Sequence, residues 1–469
     1  MVYSQLKHIV GERFVTDSPL EVYANTLSVS PDQEVYIVRP ADAEQVTEIV
    51  KLANREGLHV IPRGFSTRSS ASPFSKVPSG IIIDMTRMQT IRRIDPGTMT
   101  VTVEAGCSIS KLCSTLAPEG YRVIEGTLCP YCASVGDTMG YGPGENKYGP
   151  RQEQILDLEV VLPSGEVLQT GTAGMGSDHL AKYLGPDLTG LFLEAGGSLG
   201  VVTAVTYKLH RLPEYIDYAN YEFMDVNHMV NFMERLIHEG LTHLPSLYEI
   251  YFWPKETFMI WDKIPHIRDQ NEGFTRIFDN WNGDFPSDVI GIVFEGTKVQ
   301  VEYEKQRTTA IALECGSTGN IGVEPIKDHY VDRNWDGNTK AHEDTEASAT
   351  GWAEPIFRCR VDQYPEAKKL TKEAAEANGF RSGYSYWRGA RLGPRYISSY
   401  PCVSYDPSDP DAVNRARNYY KAVLDGALEM GAYRSVETQF DSEGENTAFM
   451  LIRELKKLLD PNGVMVASF

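Results

Sequence analysis

The chain has 469 residues and a formal net charge of −19, with 42% hydrophobic and 23% charged residues. Such a length exceeds one compact core and points to two or three domains of a soluble globular protein. The acidic balance excludes a general phosphate-binding surface, so nucleic acid is not an expected partner; a small ligand or a basic protein fits better.

No apolar run is long enough to span a membrane, and the start "MVYSQLKHIVGERFVTDS" is too polar for a signal peptide. Cytoplasmic location is the expectation. Seven cysteines without regular spacing do not make a disulfide framework, so reduced thiols are expected.

In chain order, "EVYIVRP" reads as a strand and "DAEQVTEIVKLANREG" as an amphipathic helix. Its apolar positions are Val46, Ile49, Val50 and Ala53, with Asp42 placed to cap the start and Gly57 at the end. "HVIPRG", "GIIIDMTRM", "TMTVTVEAG", "LDLEVVLPSGEVLQTG" and "LGVVTAVTYKL" follow as strands, Pro-Ser-Gly setting a hairpin turn. From Val35 to Leu212 this makes an α+β unit. After Pro213 aromatic and acidic residues dominate, as in "YIDYANYEFMDV" and "LYEIYFWPKETFMIW". The helix "HMVNFMERLIHEG" and strand "DVIGIVFEGT" predict a second sheet-plus-helix layer. "HYVDRNWDGNTKAHEDTEASATG" reads as a long loop over a site. Two helices, "DAVNRARNYYKAVLDGALEMG" and "ENTAFMLIRELKKLLDPNG", complete the chain, the last stopping at Pro461 and Gly463.

Three glycine clusters stand out. "PRGFSTRSS" (Pro62, Arg63, Gly64, Phe65, Ser66, Thr67, Arg68, Ser69, Ser70) follows a strand, and its small residues let backbone N–H groups converge on a pyrophosphate. "SVGDTMGYGPG" is the second and "EAGGSLGVVT" the third. Gly196, Gly197 and Gly200 of the third would admit a flat ligand close to the backbone. No GxGxxG is present, which disfavours a Rossmann site. A large, extended cofactor is the common explanation of the three.

Taken in order, "YIVRPADAEQVTEIVKLANREGLHVIPRG", "GIIIDMTRM", "VTVEAG", "SVGDTMGYG", "ILDLEVVLPSGEVLQTG" and "LFLEAGGSLGVVTAVTYKL" resemble the FAD-binding domain of the vanillyl-alcohol oxidase/p-cresol methylhydroxylase superfamily. "LKKLLDPNGVMVASF" is similar to that family's C-terminal segment. The resemblance is strong over residues 31–212 and 411–464. It implies an α+β fold: a PCMH-type FAD-binding domain of two α+β subdomains over 1–212, then a substrate (cap) domain over 213–410 with an antiparallel sheet covered by helices. Residues 411–469 would return to the FAD domain. The resemblance further implies that Pro62–Ser69 donate to the pyrophosphate, and that Ser134, Val135, Gly136, Asp137, Thr138, Gly140 and Tyr141 line FAD. Gly197, Gly200, Val201 and Val202 would line it too, with Asn462 in the turn that brings the C-terminus back.

The segment "EMGAYRSV" resembles the phenol-oxidising branch, where an adjacent Tyr-Arg pair holds a phenolate. Tyr433 and Arg434 are therefore the candidate catalytic residues, a guanidinium favouring the ionised oxygen of a ring that loses hydride to flavin N5. The alternative reading of the pair is the start of a plain strand. Ala71 and Leu128 stand where some phenol oxidisers carry a tyrosine and an aspartate, which implies an altered substrate. The family's covalent attachment point falls near Ser398 and Ser399, neither able to form that bond, with Tyr396 and Tyr400 flanking; dissociable FAD is the expectation.

The competing branch oxidises 2-hydroxy acids such as glycolate and D-lactate. Its histidine cluster has no counterpart in "SVETQFDSEGENTAF", which offers only Glu437, Asp441, Glu443 and Glu445, and no metal site is expected. Cys107, Cys113, Cys129 and Cys132 lack a second CxxC and read as packing thiols or as the approach to the second glycine cluster. A third class is an electron-transfer flavoprotein subunit whose acidic surface docks a cytochrome or another acceptor in a homo- or hetero-oligomer.

Overall fold

The computed structural model describes residues 2–17, 34–65, 79–124, 146–149, 151–183, 185–243, 247–254, 286–319, 351–380, 390–392, 396–406, 409–434 and 447–466. Two helix-and-sheet units build it. In the first, α1 (Val2–Val10) and β1 (Val15–Thr16) precede β2 (Glu34–Val38), α2 (Ala43–Glu56), β3 (His59–Arg63) and β4 (Ser79–Asp84). The order β1-β2-β4-β3 sets β2 and β3 parallel to β4. Helix α2 forms as its pattern predicts. Asp42 accepts from the Gln45 N–H at 2.9 Å, Gly57 closes the far end at φ 66°, and Val46, Ile49, Val50 and Ala53 are buried.

Next come β5 (Ile91–Asp95), β6 (Thr100–Glu104), α3 (Ile109–Leu116), β7 (Tyr121–Arg122), β8 (Ile155–Val161), β9 (Val167–Gln169), α4 (Leu188–Phe192) and β10 (Val201–Lys208). They assemble an antiparallel sheet of order β5-β6-β10-β8-β9, and β11 (His210–Arg211) pairs with β7. Gly165, at φ 86°, turns the β8–β9 hairpin where Pro-Ser-Gly was read. One apolar core joins the two sheets: Val38, Val60 and Ile81 on one side, Val101, Val160 and Val205 on the other.

The aromatic stretches of the second unit are strands. β12 (Tyr215–Phe223), α5 (Val226–His238), β13 (Leu247–Pro254), β14 (Asp288–Gly296), α6 (Lys298–Glu314), β15 (Gly351–Ala353) and β16 (Phe357–Cys359) come first. After them run α7 (Tyr364–Ala377), β17 (Ala390–Leu392), β18 (Ile397–Ser399), β19 (Val403–Tyr405), α8 (Pro410–Glu429), β20 (Tyr433–Arg434) and α9 (Thr447–Leu459). Seven strands form an antiparallel sheet, β12-β14-β13-β17-β18-β16-β20. Tyr221, Phe223, Ile290, Ile292 and Phe294 pack under the helices with Phe232, Tyr364 and Tyr419. Helix α8 and strand β20 belong to this second core, with Val423 and Ala427 inside it, so the return to the first unit starts only at α9. Because side chains alternate along a strand, the opposite parity, which includes Glu295, Arg358 and Tyr433, faces the first unit.

Candidate functional site

The parallel strands end at Pro62–Phe65, on the carboxyl edge where open α/β sheets place their ligands. The third glycine cluster meets that edge. Gly196 and Gly197 are left-handed at φ 57° and 79°, and a Cβ on Gly197 would stand 2.6 Å from Pro62 Cγ. The close approach read into this glycine is therefore to Pro62 rather than to a ligand, and it sets the first and third clusters against each other. Val201 is buried in the core and Val202 only half-buried. Small residues and turn N–H groups at such an edge fit a pyrophosphate, which is the chemistry an FAD site needs.

The C-terminus arrives as expected. The Val60 N–H donates to Val464 O at 2.7 Å and the Val466 N–H to Val60 O at 3.1 Å, so the tail runs beside β3. Asp460 accepts the Val464 and Met465 N–H groups at 2.8 Å each, while Lys456 pairs with Asp460 and donates to Ser198 O at 2.7 Å. Burial pulls the Lys456 ammonium below its usual range and Asp460 opposes that. Asn462 turns outward: its amide donates to Asn54 Oδ1 of α2 at 3.0 Å. Ser66, Thr67, Arg68, Ser69, Ala71, Leu128, Cys129, Cys132, Ser134–Thr138, Gly140 and Tyr141 lie outside the described residues, as do Glu437, Asp441, Glu443 and Glu445 and the long loop 329–350.

Tyr433 comes to the seam between the units. On β20 it pairs with Arg358 of β16, in the edge position of the seven-stranded sheet. Its hydroxyl donates to Glu194 Oε2 of the first unit at 3.3 Å. Glu194 Oε1 accepts from Gln152 Nε2 at 3.1 Å and lies 3.8 Å from the Arg358 guanidinium. That guanidinium sits 5.6 Å from the Tyr433 ring centre and 5.9 Å from that of Tyr396. Burial of the hydroxyl end and then the Glu194 carboxylate push the Tyr433 phenol up to about 12, with Arg358 opposing. Tyr433 is thus a neutral hydrogen-bond donor.

These residues line an open cavity of about 640 Å³, with Glu153, Lys182, Leu193, Arg360 and Gly431 on its walls. Tyr433 opens a strand, as the plainer reading of "AYRS" expects, and that strand carries it to the cavity, while the Arg434 side chain lies outside the described residues. Of the two residues flanking the serine pair, Tyr396 reaches the cavity, while Tyr400 is buried together with Ser398 and Ser399. Glu194, Gln152 and Arg358 carried no signal in the sequence that sets them apart.

A second, sealed contact joins the units. Arg122 Nη2 of β7 donates to Glu295 Oε1 of β14 at 2.7 Å, and Lys147 Nζ lies 3.0 Å from the same oxygen. Lys147 follows the second glycine cluster in sequence, and its ammonium joins the buried Arg122–Glu295 pair. His210 adjoins it, with its Nε2 and Gln154 Oε1 2.9 Å apart. Cys107, Cys113, Cys315, Cys359 and Cys402 are buried free thiols. Among the described residues no group of three His, Cys, Asp or Glu side chains could hold a metal, and no helix is long and apolar enough to cross a membrane.

Residues 35–171 match the FAD binding domain family. An uncharacterised FAD-linked oxidoreductase of Mycobacterium tuberculosis is 30% identical over 248 residues, covering 51% of this chain and 52% of that protein. The chain thus spans about half the length of the first relatives it matches. The mitochondrial D-lactate dehydrogenase [cytochrome] of Arabidopsis thaliana is 23% identical over 98% of this chain and 78% of that one. Among solved structures, p-cresol methylhydroxylase with substrate bound superposes with a TM-score of 0.79 at 18% identity, over 100% of this chain and 95% of its own. That likeness is one of fold. FAD is the cofactor that both the family model and the Mycobacterium tuberculosis relative name.

Proposed function

We propose that the chain is an FAD-linked oxidoreductase of the vanillyl-alcohol oxidase/p-cresol methylhydroxylase superfamily, whose fold it shares, and that it oxidises a phenolic or benzylic substrate. Bound FAD supplies the hydride acceptor, at flavin N5. Tyr433 holds the ring oxygen, and Arg358 and Tyr396 flank the ring. The observation that carries this reading is the Tyr433 hydroxyl facing a cavity of about 640 Å³ at the seam, a volume suited to a small aromatic molecule. Mixing holoenzyme anaerobically with 4-alkylphenols and following loss of the flavin absorbance tests it. Bleaching that disappears in Tyr433→Phe supports the proposal, and bleaching by 2-hydroxy acids alone overturns it.

The second reading is a 2-hydroxy-acid dehydrogenase. It is favoured by the D-lactate dehydrogenase relative and by the cations Arg358, Arg360 and Lys182 on the cavity wall, which suit a substrate carboxylate. Arg360 is already held by Asp362 at 2.8 Å and Lys182 by Asp187 at 3.5 Å, so the phenol reading asks for less rearrangement. FAD is held without a covalent bond in this proposal, because neither Ser398 nor Ser399 can make one. Acid precipitation that leaves the yellow colour in the pellet would transfer attention to Tyr396. The net charge of −19 suits a basic electron-acceptor protein, whose docking would weaken with salt.

A further inference from the structure

We infer that Glu194 takes up the hydroxyl proton of a phenolic substrate through Tyr433, which makes it a positioning residue for the reaction. The inference rests on the phenol reading above and adds the proton's route.

Glu194 holds a left-handed φ of 57°, a conformation strained for a residue with a Cβ. Gln152 and Arg358 hold its Oε1 side, and the Tyr433 hydroxyl lies on Oε2. A tyrosine hydroxyl has one hydrogen and two lone pairs. With the hydrogen directed at Glu194, Tyr433 offers lone pairs to whatever enters the cavity. Such a partner accepts the O–H of an incoming neutral phenol. The 3.3 Å separation is long for an O–H···O bond, leaving room to shorten as charge moves.

The bookkeeping of atoms closes. With FAD bound, the electron pair of the substrate's benzylic C–H bond would leave as hydride to the flavin. The ring O–H bond breaks with it: that proton passes to Tyr433 Oη while the Tyr433 proton passes to Glu194 Oε2. A neutral phenol becomes a neutral quinone methide, Tyr433 is unchanged, and Glu194 becomes a carboxylic acid that later releases its proton to water. Among the described residues the charged groups facing Tyr433 are Glu194 and Arg358, with Glu153, Lys182 and Arg360 on the cavity walls. Arg358 stabilises the developing ring oxyanion from the cap side.

The test is anaerobic flavin bleaching by a 4-alkylphenol across pH, on holoenzyme. Glu194→Gln is expected to bleach roughly 100-fold more slowly near neutral pH. Its rate should recover as pH rises toward the phenol's own ionisation, because the substrate then arrives without its proton. Glu194→Asp should show an intermediate rate and the unchanged pH profile. A wild-type rate and profile in Glu194→Gln, beside a slow Tyr433→Phe, overturns the inference and leaves the phenol reading standing; a slowdown equal at every pH does the same. Wild-type rates in Tyr433→Phe overturn the phenol reading itself. Loss of FAD from both Glu194 variants overturns the inference, since Glu194 would then be holding cofactor.

Discussion

Two carboxylates bridge the same pair of domains, and their surroundings differ in kind. Glu295 is 1% exposed and meets Arg122 and Lys147 at 2.7 and 3.0 Å. Glu194 borders an open cavity and holds its cap-side partners at 3.3 and 3.8 Å. A sealed ion cluster resists separation, because each charge removed leaves another without solvent. A loose, solvated contact can exchange partners. The first contact suits a fixed hinge between the domains, and the second suits a place where ligand and proton move.

The largest effect expected from breaking this contrast comes from Glu295→Gln. The buried Arg122 and the half-buried Lys147 would be left beside a neutral amide, and losing one member of a buried pair costs roughly 3–5 kcal/mol. Thermal unfolding followed by release of flavin fluorescence should fall by several degrees. A melting temperature within a degree of wild type would show that water reaches the cluster.

The same cluster makes acid a second probe. Burial, then Arg122, Lys208 and Lys147, pull the His210 imidazole down to about 4 from its ordinary 6.5. The folded state therefore binds fewer protons than the unfolded one below pH 6.5. The stability conferred by neutral His210 is complete above that value and is lost as pH falls through the window to about 4. The loss amounts to about 2–3 kcal/mol once partial exposure is allowed for. His210→Gln should flatten this part of the stability profile, and an unchanged slope would place the titrating group elsewhere.

The contrast also explains what the sequence could reveal. Helix α2 was legible because a cap, an apolar stripe and a terminal glycine all lie within sixteen residues and agree. Tyr433 was legible only through a family resemblance, since its meaning depends on partners far along the chain. Glu194, Arg358 and Gln152 gave no signal: their contacts join residues 239 and 42 positions apart, and no local pattern encodes such pairing. The stretches "YIDYANYEF" and "LYEIYFWP" showed a shift in composition, yet their strand character emerges only when β12 and β13 flank β14. The resemblance places helix α8 in the returning segment, whereas Tyr419 and Val423 are buried among the cap helices, a packing that no local pattern encodes.

Gly197 tests the cradle beside the loose contact. A methyl there would meet Pro62 at 2.6 Å and force a left-handed conformation on alanine, a combined cost of roughly 2–3 kcal/mol. Gly197→Ala should therefore release FAD at lower denaturant concentration than wild type, read by ultrafiltration of the yellow colour. Retention equal to wild type would mean that the two glycine-rich turns need not touch to hold the cofactor.

The smallest expected effect has the opposite sign. Glu194 holds its left-handed φ although its contacts are long and partly solvated, and such contacts contribute about 1 kcal/mol or less. Glycine relieves the backbone strain but enlarges the unfolded ensemble, offsetting about half of the gain. Glu194→Gly should therefore leave the melting temperature unchanged or raise it by about a degree, while slowing flavin reduction by the phenol. Strain retained where it contributes nothing to stability is the pattern expected of a residue kept for its chemistry. A drop of several degrees would make Glu194 a second structural clamp, equivalent to Glu295, and the distinction between the two contacts would be lost.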